Sequence, residues 1–222
     1  MDITDQFHLT STANRTLAQS QLAYLVQNNA YFEDVHATIA DVNAVLAGRH
    51  PQLSPTDTAV ITQILKGWQL IIAHTGSLDL RFERKLNSVV ALHDALVPGE
   101  IRTGSVSVAL PDQTTYFPAA VDETSAAAHL TKLLSRPQSI TERALRLLYH
   151  NMRMQLFWDG NKRTAILAAN YLMLSHGAGL INVPLNQWST WMTLIGDYYQ
   201  TNQVAPLLAW SAQHAICGAP IN

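Results

Sequence analysis

Apolar residues recur at helical spacing through most of the chain. Over residues 14–27, Leu17, Leu22, Leu25 and Val26 fall roughly on one face. Over 35–47, Ile39, Val42, Val45 and Leu46 do the same, and Gly48 offers a C-terminal stop. Residues 51–55 read as a linker. Ser54 or Thr56 caps the next helix, with Pro55 in its first turn; that helix runs to about His74 through Val60, Ile61, Ile64, Leu65 and Trp68. A further helix covers 80–96 and stops at Pro98-Gly99. The pattern then switches. In "GSVSVAL", residues 104–110, Val106 and Val108 alternate with small polar residues, which is the period of a strand. Pro111-Asp112-Gln113 turns the chain, 114–117 returns as a second short strand, and Pro118 closes it. This is the only convincing strand signal, and a lone hairpin needs something to pack on. Helices resume over about 122–134, 140–157, 161–176, 186–200 and 205–216. The pattern predicts an all-α, mostly helical chain with one small β-hairpin.

Composition narrows the class. The 222 residues are 48% hydrophobic, enough to bury a sizeable core in one large domain or two small ones. Only 14% are charged, low for a free surface, so part of that surface is expected to be covered by a partner. A net charge of −2 gives no general field to draw in nucleic acid or an acidic membrane, so neither is expected as a partner. The single cysteine, Cys217, excludes an internal disulfide framework and fits a reducing compartment. Residues 1–10 are polar and carry no signal-like apolar segment, and no run is long enough to span a bilayer. The expected location is cytoplasmic. The nine histidines are scattered singly, without metal-site spacing. Trp188, Trp191 and Trp210 sit at helical spacing among apolar residues and read as core.

The chemistry concentrates in "QLFWDGNKRT", residues 155–164. One helix ends as Asp159-Gly160 begins, and Asn161 opens the next, whose apolar face carries Ile166, Leu167, Tyr171 and Leu172. The first amide groups of a helix lack intrahelical partners and sit at the positive end of its dipole, so such a turn suits an anion. Gly160 permits close backbone approach. Lys162 and Arg163 add charge, the arginine fork matching phosphate oxygens. Asp159 supplies one hard oxygen for a Mg²⁺ riding on phosphates. Asn161 is also an ordinary helix cap and Asp-Gly an ordinary turn, so the three residues "DGN" alone read more often as a solvated turn.

The longer stretch "LFWDGNKRTA" resembles the signature loop of the Fic/Doc (Fido) family, whose pattern is His-x-Phe-x-Asp/Glu-Gly/Ala-Asn-Gly/Lys-Arg. "HDALVPGEIRTGSVSV" (93–108) is similar to the lead-in to that family's flap, "TTYFPA" (114–119) to its return strand, and "YYQTNQVAPLLAW" (198–210) to its C-terminal helices. "NAYFEDVHATIADVNAVLAG" (29–48) is similar to an N-terminal inhibitory helix with the motif Ser/Thr-x-x-x-Glu-Gly/Asn; here Asn29, Glu33 and Asp34 stand at those positions. The resemblance implies N-terminal helices over 1–53 and a Fido core over 54–222, with the flap at 104–117. It implies a nucleotide as ligand, ATP or another, bound with Mg²⁺. Asp159 would hold the metal, Gly160, Asn161 and Lys162 would form the anion hole, and Arg163 would bind a terminal phosphate. Phe157 would pack under the loop. The flap, through Val106, Val108, Thr115 and Tyr116, would dock a target protein as an added strand. A homodimer or an antitoxin-like partner is also compatible with it.

Three departures shape the expectation. The family's catalytic His, which takes the proton from the attacking hydroxyl, falls on Gln155. An amide has no usable pKa near neutrality, and general-base help is worth roughly 10²–10⁴ in rate. His150, five residues back on the same helix, faces another direction and reads as a structural histidine. Ile166 replaces the second motif arginine, which commonly pairs with the inhibitory Glu, so Glu33 either turns to Arg163 or is a solvated charge. Lys162 with Thr164 matches the Doc-type loop, whose owners transfer phosphate, whereas most active members transfer AMP to a protein hydroxyl. The favoured expectation is a nucleotide-binding Fic-like protein descended from adenylyltransferases and impaired in catalysis. The alternatives are a slow transferase of AMP or phosphate, and an interaction domain that binds no nucleotide.

Overall fold

The computed structural model describes residues 2–219. In chain order they form α1 (Ser11–Ser20), α2 (Leu22–Ala30), a 3-10 turn (Tyr31–Glu33), α3 (Ile39–Leu46), α4 (Pro55–Ala73) and α5 (Leu80–Val90). Then come β1 (Val108–Ala109), β2 (Thr115–Tyr116), α6 (Glu123–Leu134), α7 (Ile140–Met154), α8 (Asn161–His176) and β3 (Leu180–Ile181). A second 3-10 turn (Leu185–Gln187), α9 (Trp188–Thr201), α10 (Ala205–His214) and β4 (Ile216–Cys217) complete the order. The fold is a helical bundle with the β1–β2 hairpin that the periodicity predicts, plus a second antiparallel pair, β3–β4.

α8 is the axis of the bundle. Every residue from Arg163 to Leu174 is buried, as expected of a helix enclosed on all faces. α1, α4, α5 and α7 pack around it. Gly67 brings α4 close, since a Cβ there would lie 2.5 Å from Leu167 Cδ1. Two buried asparagines tie neighbouring segments to this core. Asn170 donates to the Ile181 carbonyl at 3.0 Å and accepts from the Ile181 amide at 2.9 Å, which pins β3 to α8. Asn14 donates to the carbonyls of Met173 and Gly179. One hydrophobic cluster includes residues of α2 and α3 together with those of α4, α7 and α8.

The helix starts follow their caps. Thr10, Thr38, Ser54, Asp79, Asp122 and Ser139 each accept a first-turn amide of α1, α3, α4, α5, α6 and α7. α2, α8, α9 and α10 have no side-chain cap; at α8 the N-cap is Gly160, which has no side chain to fill the role.

Several predicted boundaries are corrected. The helix expected over 14–27 is two, because the chain leaves helical geometry at Gln21; α1 then packs on α8, and α2 on α4. The inhibitory helix expected over 29–48 is not continuous. Glu33 lies on the 3-10 turn, Asp34 takes a left-handed φ of 56°, and α3 starts afresh with a Thr38–Asp41 capping box. The helix expected over 80–96 ends at Val90, whose carbonyl is taken by Arg163. The strand expected over 104–110 is regular only at Val108–Ala109, so Val106 lies outside it. The helix expected to reach Phe157 ends at Met154, with Gln155 left-handed at φ 50° and ψ 61°. The last helix stops at His214, because the next residues pair with β3.

Candidate functional site

The loop between α7 and α8 is closed by its own side chains. Asn161 Oδ1 accepts from the Phe157 amide at 2.8 Å, and its Nδ2 donates to the Phe157 carbonyl at 2.9 Å. Asn87, wholly buried on α5, donates to the Asp159 carbonyl at 2.8 Å and to Thr164 Oγ1 at 3.1 Å, and accepts from the Gly99 amide at 2.9 Å. Gly160 has φ +69°, and a Cβ there would meet Ala91 Cβ at 2.6 Å, so the turn needs glycine for both conformation and space. The Gly160 amide donates to Asp159 Oδ1 at 2.5 Å.

Arg163 points inward, 1% exposed. Its Nη1 donates to the Val90 carbonyl at 2.5 Å and to Asp94 Oδ2 at 2.8 Å. Glu33 Oε1 lies 2.7 Å from Nε, an ion-pair contact outside hydrogen-bond geometry, and Asp159 Oδ1 lies 3.8 Å from Nη2. One guanidinium thus sits among three carboxylates while Nε and Nη2 keep no hydrogen-bond acceptor. Burial pushes the Glu33 carboxyl above its ordinary value, with Arg163 pulling the other way. Burial lowers the neighbouring Lys162 amine, with Glu33 and Asp159 opposing. The turn that carries Glu33 is held by rings: Phe32 packs 5.0 Å from Trp188 and 5.5 Å from Trp191, and Tyr31 lies 5.7 Å from Trp188.

These pieces enclose a cavity of about 290 Å³. Phe32 and Glu33 line it from the 3-10 turn, 107–109 from the hairpin, and Gln155 with 159–162 from the loop. Of the residues expected at a site, Gln155, Asp159, Gly160, Asn161, Lys162, Glu33 and Val108 meet here. Arg163 lies behind the lining. Thr115 is exposed and pairs with Ala109; Tyr116 pairs with Val108 and packs 5.0 Å from the Tyr199 ring. Gln155 is buried, and its Nε2 donates to the Met152 carbonyl at 2.6 Å. His150 stacks on His129 with ring centroids 3.7 Å apart, and burial lowers its pKa to about 4. Larger cavities of about 620, 620 and 560 Å³ are lined by none of the loop residues. No group of three or more His, Cys, Asp or Glu residues could hold a metal alone, among the described residues. Asp159 nonetheless fits the single-carboxylate share of a Mg²⁺ carried in on phosphates: its side chain is half exposed and lines the cavity.

Sequence reasoning missed Asn87, Asp94 and Arg102. Asn87 left a trace, since Glu83 and Asn87 form a polar i, i+4 pair beside the apolar stripe Phe82, Leu86 and Val90. Asp94 and Arg102 are lone charges in irregular segments and left none.

Residues 81–173 match the model described as the Fic/DOC family. That span holds the 155–164 loop, the hairpin and all but the first residue of α5, and over it the chain is similar to the Fic/DOC family. Solved structures share the fold. A Fic domain containing signaling protein from Bacteroides thetaiotaomicron is 18% identical at a TM-score of 0.74, with 93% of this chain and 87% of that one covered. Residues 134–508 of Fic-1 from C. elegans are 18% identical at 0.75, covering 92% and 63%. A Fic family protein from Desulfovibrio desulfuricans is 13% identical at 0.75, covering 89% and 63%. This chain therefore spans under two thirds of the last two. No curated protein matches it. No helix among the described residues is long and apolar enough to cross a membrane.

Proposed function

We propose that the chain binds the phosphate end of a nucleotide with Mg²⁺ at the start of α8, and that Gln155 leaves it poor at group transfer. The observation that carries this is the uncapped α8 N-terminus behind Gly160, opening on a cavity with Lys162 and Asp159 in its lining. A volume of about 290 Å³ suits phosphates better than a whole nucleotide, so sugar and base would lie outside it. Asp159 would hold the metal and Lys162 would neutralise charge. Arg163 has two buried nitrogens without acceptors, which a phosphate oxygen would satisfy. Glu33 stands against that guanidinium and would compete with the incoming anion. Bound Mg²⁺ would offset the phosphate charge; the protein's own share is to orient the anion and exclude water.

The test is a melting curve with and without Mg²⁺–ATP and Mg²⁺–ADP. Ligand at 100 times its Kd adds about 2.7 kcal/mol of stability. Wild type should shift upward, Glu33→Ala further, and Asp159→Ala not at all. Flat curves for both wild type and Glu33→Ala would remove the nucleotide reading and leave an interaction domain. Transfer is tested with labelled ATP, Mg²⁺ and cell lysate: Gln155→His should label a protein band far more strongly than wild type, because a base is restored in an otherwise intact cavity. Equal labelling by the two would instead favour an active transferase with another base.

A further inference from the structure

The hairpin and the loop share one unexpected tie. Arg102 is 3% exposed, yet no carboxylate lies within ion-pair distance of it among the described residues. Its guanidinium is spent on main-chain carbonyls. Nη1 donates to Gly104 at 2.8 Å and Nη2 to Ala119 at 2.5 Å, one at each foot of the hairpin. Nε donates to the Gln155 carbonyl at 2.5 Å, and Nη2 also reaches the Met154 carbonyl at 3.4 Å, at the end of α7. The Arg102 amide donates to the Leu156 carbonyl at 3.0 Å, and Ile101 bridges Phe157. Gly104 lies under the Trp158 ring, where a Cβ would meet Cη2 at 2.9 Å.

We infer that Arg102 is the positioning residue of this site: one guanidinium fixes both feet of the hairpin and the backbone at position 155 in a single frame. Two consequences follow. First, Gln155 is a non-glycine residue in the left-handed region, a conformation that needs support from outside; Arg102 holds the carbonyl on its far side, and so fixes where the side chain at 155 starts. Second, β1 has two residues in its ladder and cannot set its own place. Tied at the feet, it stands at a fixed distance from position 155. A peptide strand added to the free edge of β1 would meet the residue-155 side chain without a closing motion. The assignment of β1 as a ledge for a target strand rests on the functional reading above; the tie itself does not.

A buried arginine bound only to carbonyls is also the fitting choice physically. Its planar fork reaches four acceptors at once, while a lysine offers a point charge. The experiment is hydrogen exchange by mass spectrometry on the full chain as wild type, Arg102→Met and Arg102→Lys, each with and without Mg²⁺–ADP. In Arg102→Met, amides of 104–119 and 155–158 should exchange at least tenfold faster, with those inside α4 and α8 within twofold. Arg102→Lys should fall between, a partial rescue that a purely space-filling role would not give. Should the Met variant not fold, the lysine variant decides alone: hairpin exchange like wild type overturns the assignment. So does exchange that rises evenly over the whole bundle. Absence of any Mg²⁺–ADP effect on wild type counts against nucleotide binding only, because the hairpin rates are read without ligand.

Discussion

The signature loop at 155–164 and the hairpin at 104–119 face the same cavity, and they are held in opposite ways. The loop is supported from beneath by buried side chains: Asn161 closes it, Asn87 ties it to α5, and Arg163 ties it to the Val90 carbonyl. The hairpin has a ladder of two residue pairs, and Phe117 beside it is 72% exposed. Besides Leu110, buried in the main core, it is pinned at three separate points: Arg102 at the feet, Tyr116 against Tyr199, and Gln200 at the turn. The difference teaches where rigidity comes from. A loop whose carbonyls are satisfied by core residues cannot loosen without loosening the core. A hairpin pinned at points can lose one pin and keep the bundle intact. An anion site gains from the first arrangement, because its donors stay aimed before the ligand arrives.

The largest effect expected from this contrast is at Asn87. Asn87→Ala leaves the Gly99 amide, the Asp159 carbonyl and Thr164 Oγ1 without their partner in the core. Buried groups so stranded cost roughly 1–3 kcal/mol each when unrelieved, so the loss should be about 3 kcal/mol or more. Urea unfolding measures it. A loss under about 1 kcal/mol would mean that the loop is not held by the core, and the contrast with the hairpin would fail.

Next comes Glu83, one helical turn before Asn87 on α5. It is 1% exposed and accepts from Asn151 Nδ2 at 2.7 Å, one turn before Gln155 on α7. Burial pushes its carboxyl up from 4.5 to about 7, with Asn151 opposing. The folded state therefore holds this proton where the unfolded chain has released it. The group's stabilising share is full below pH 4.5 and declines as pH rises through about 7. The decline corresponds to roughly 3 kcal/mol. Glu83→Gln keeps an acceptor for Asn151 and carries no charge. It should raise stability at pH 8 by roughly that amount and change little at pH 4. Equal effects at both values would place the cost in packing, not in charge.

Much of this was legible in the sequence. The helical course of α4 and α8 follows from apolar spacing, and the start of α4 from Ser54 as its cap. The turn at Asp159-Gly160 and the hairpin were visible because glycine and alternation carry local information. Other features were settled by tertiary partners. α5 stops at Val90 because Arg163, 73 residues on, takes its carbonyl. The β3–β4 pair is two residues long on each strand and is fixed by Asn170, so no periodicity announces it. Glu33 was found by motif, but its approach to Arg163 depends on Phe32 seating between Trp188 and Trp191, more than 150 residues away in sequence.

The smallest effect should come from the hairpin's outer pin. Gln200 Nε2 on α9 donates to Asp112 Oδ2 at 2.6 Å and to Thr114 Oγ1 at 3.0 Å, all three residues being exposed. Exposed pairs contribute little to global stability, so Gln200→Ala should move Tm by less than about 2 °C. The turn should still respond, with amides of 112–114 exchanging several-fold faster while those of the feet near Gly104 and Ala119 stay as they are. Hydrogen bonds from Thr114, chiefly, and from Gln200 hold the Asp112 carboxyl below its ordinary value. A depressed carboxylate contributes above its unfolded pKa of 3.8 and loses that contribution as pH falls through the folded value. Acid should accordingly free the turn in wild type and have less left to free in Gln200→Ala. If instead the alanine variant loosened the feet as much as the turn, the hairpin would move as one body. Its three pins would then be a single cooperative hold, of the same kind as the loop's.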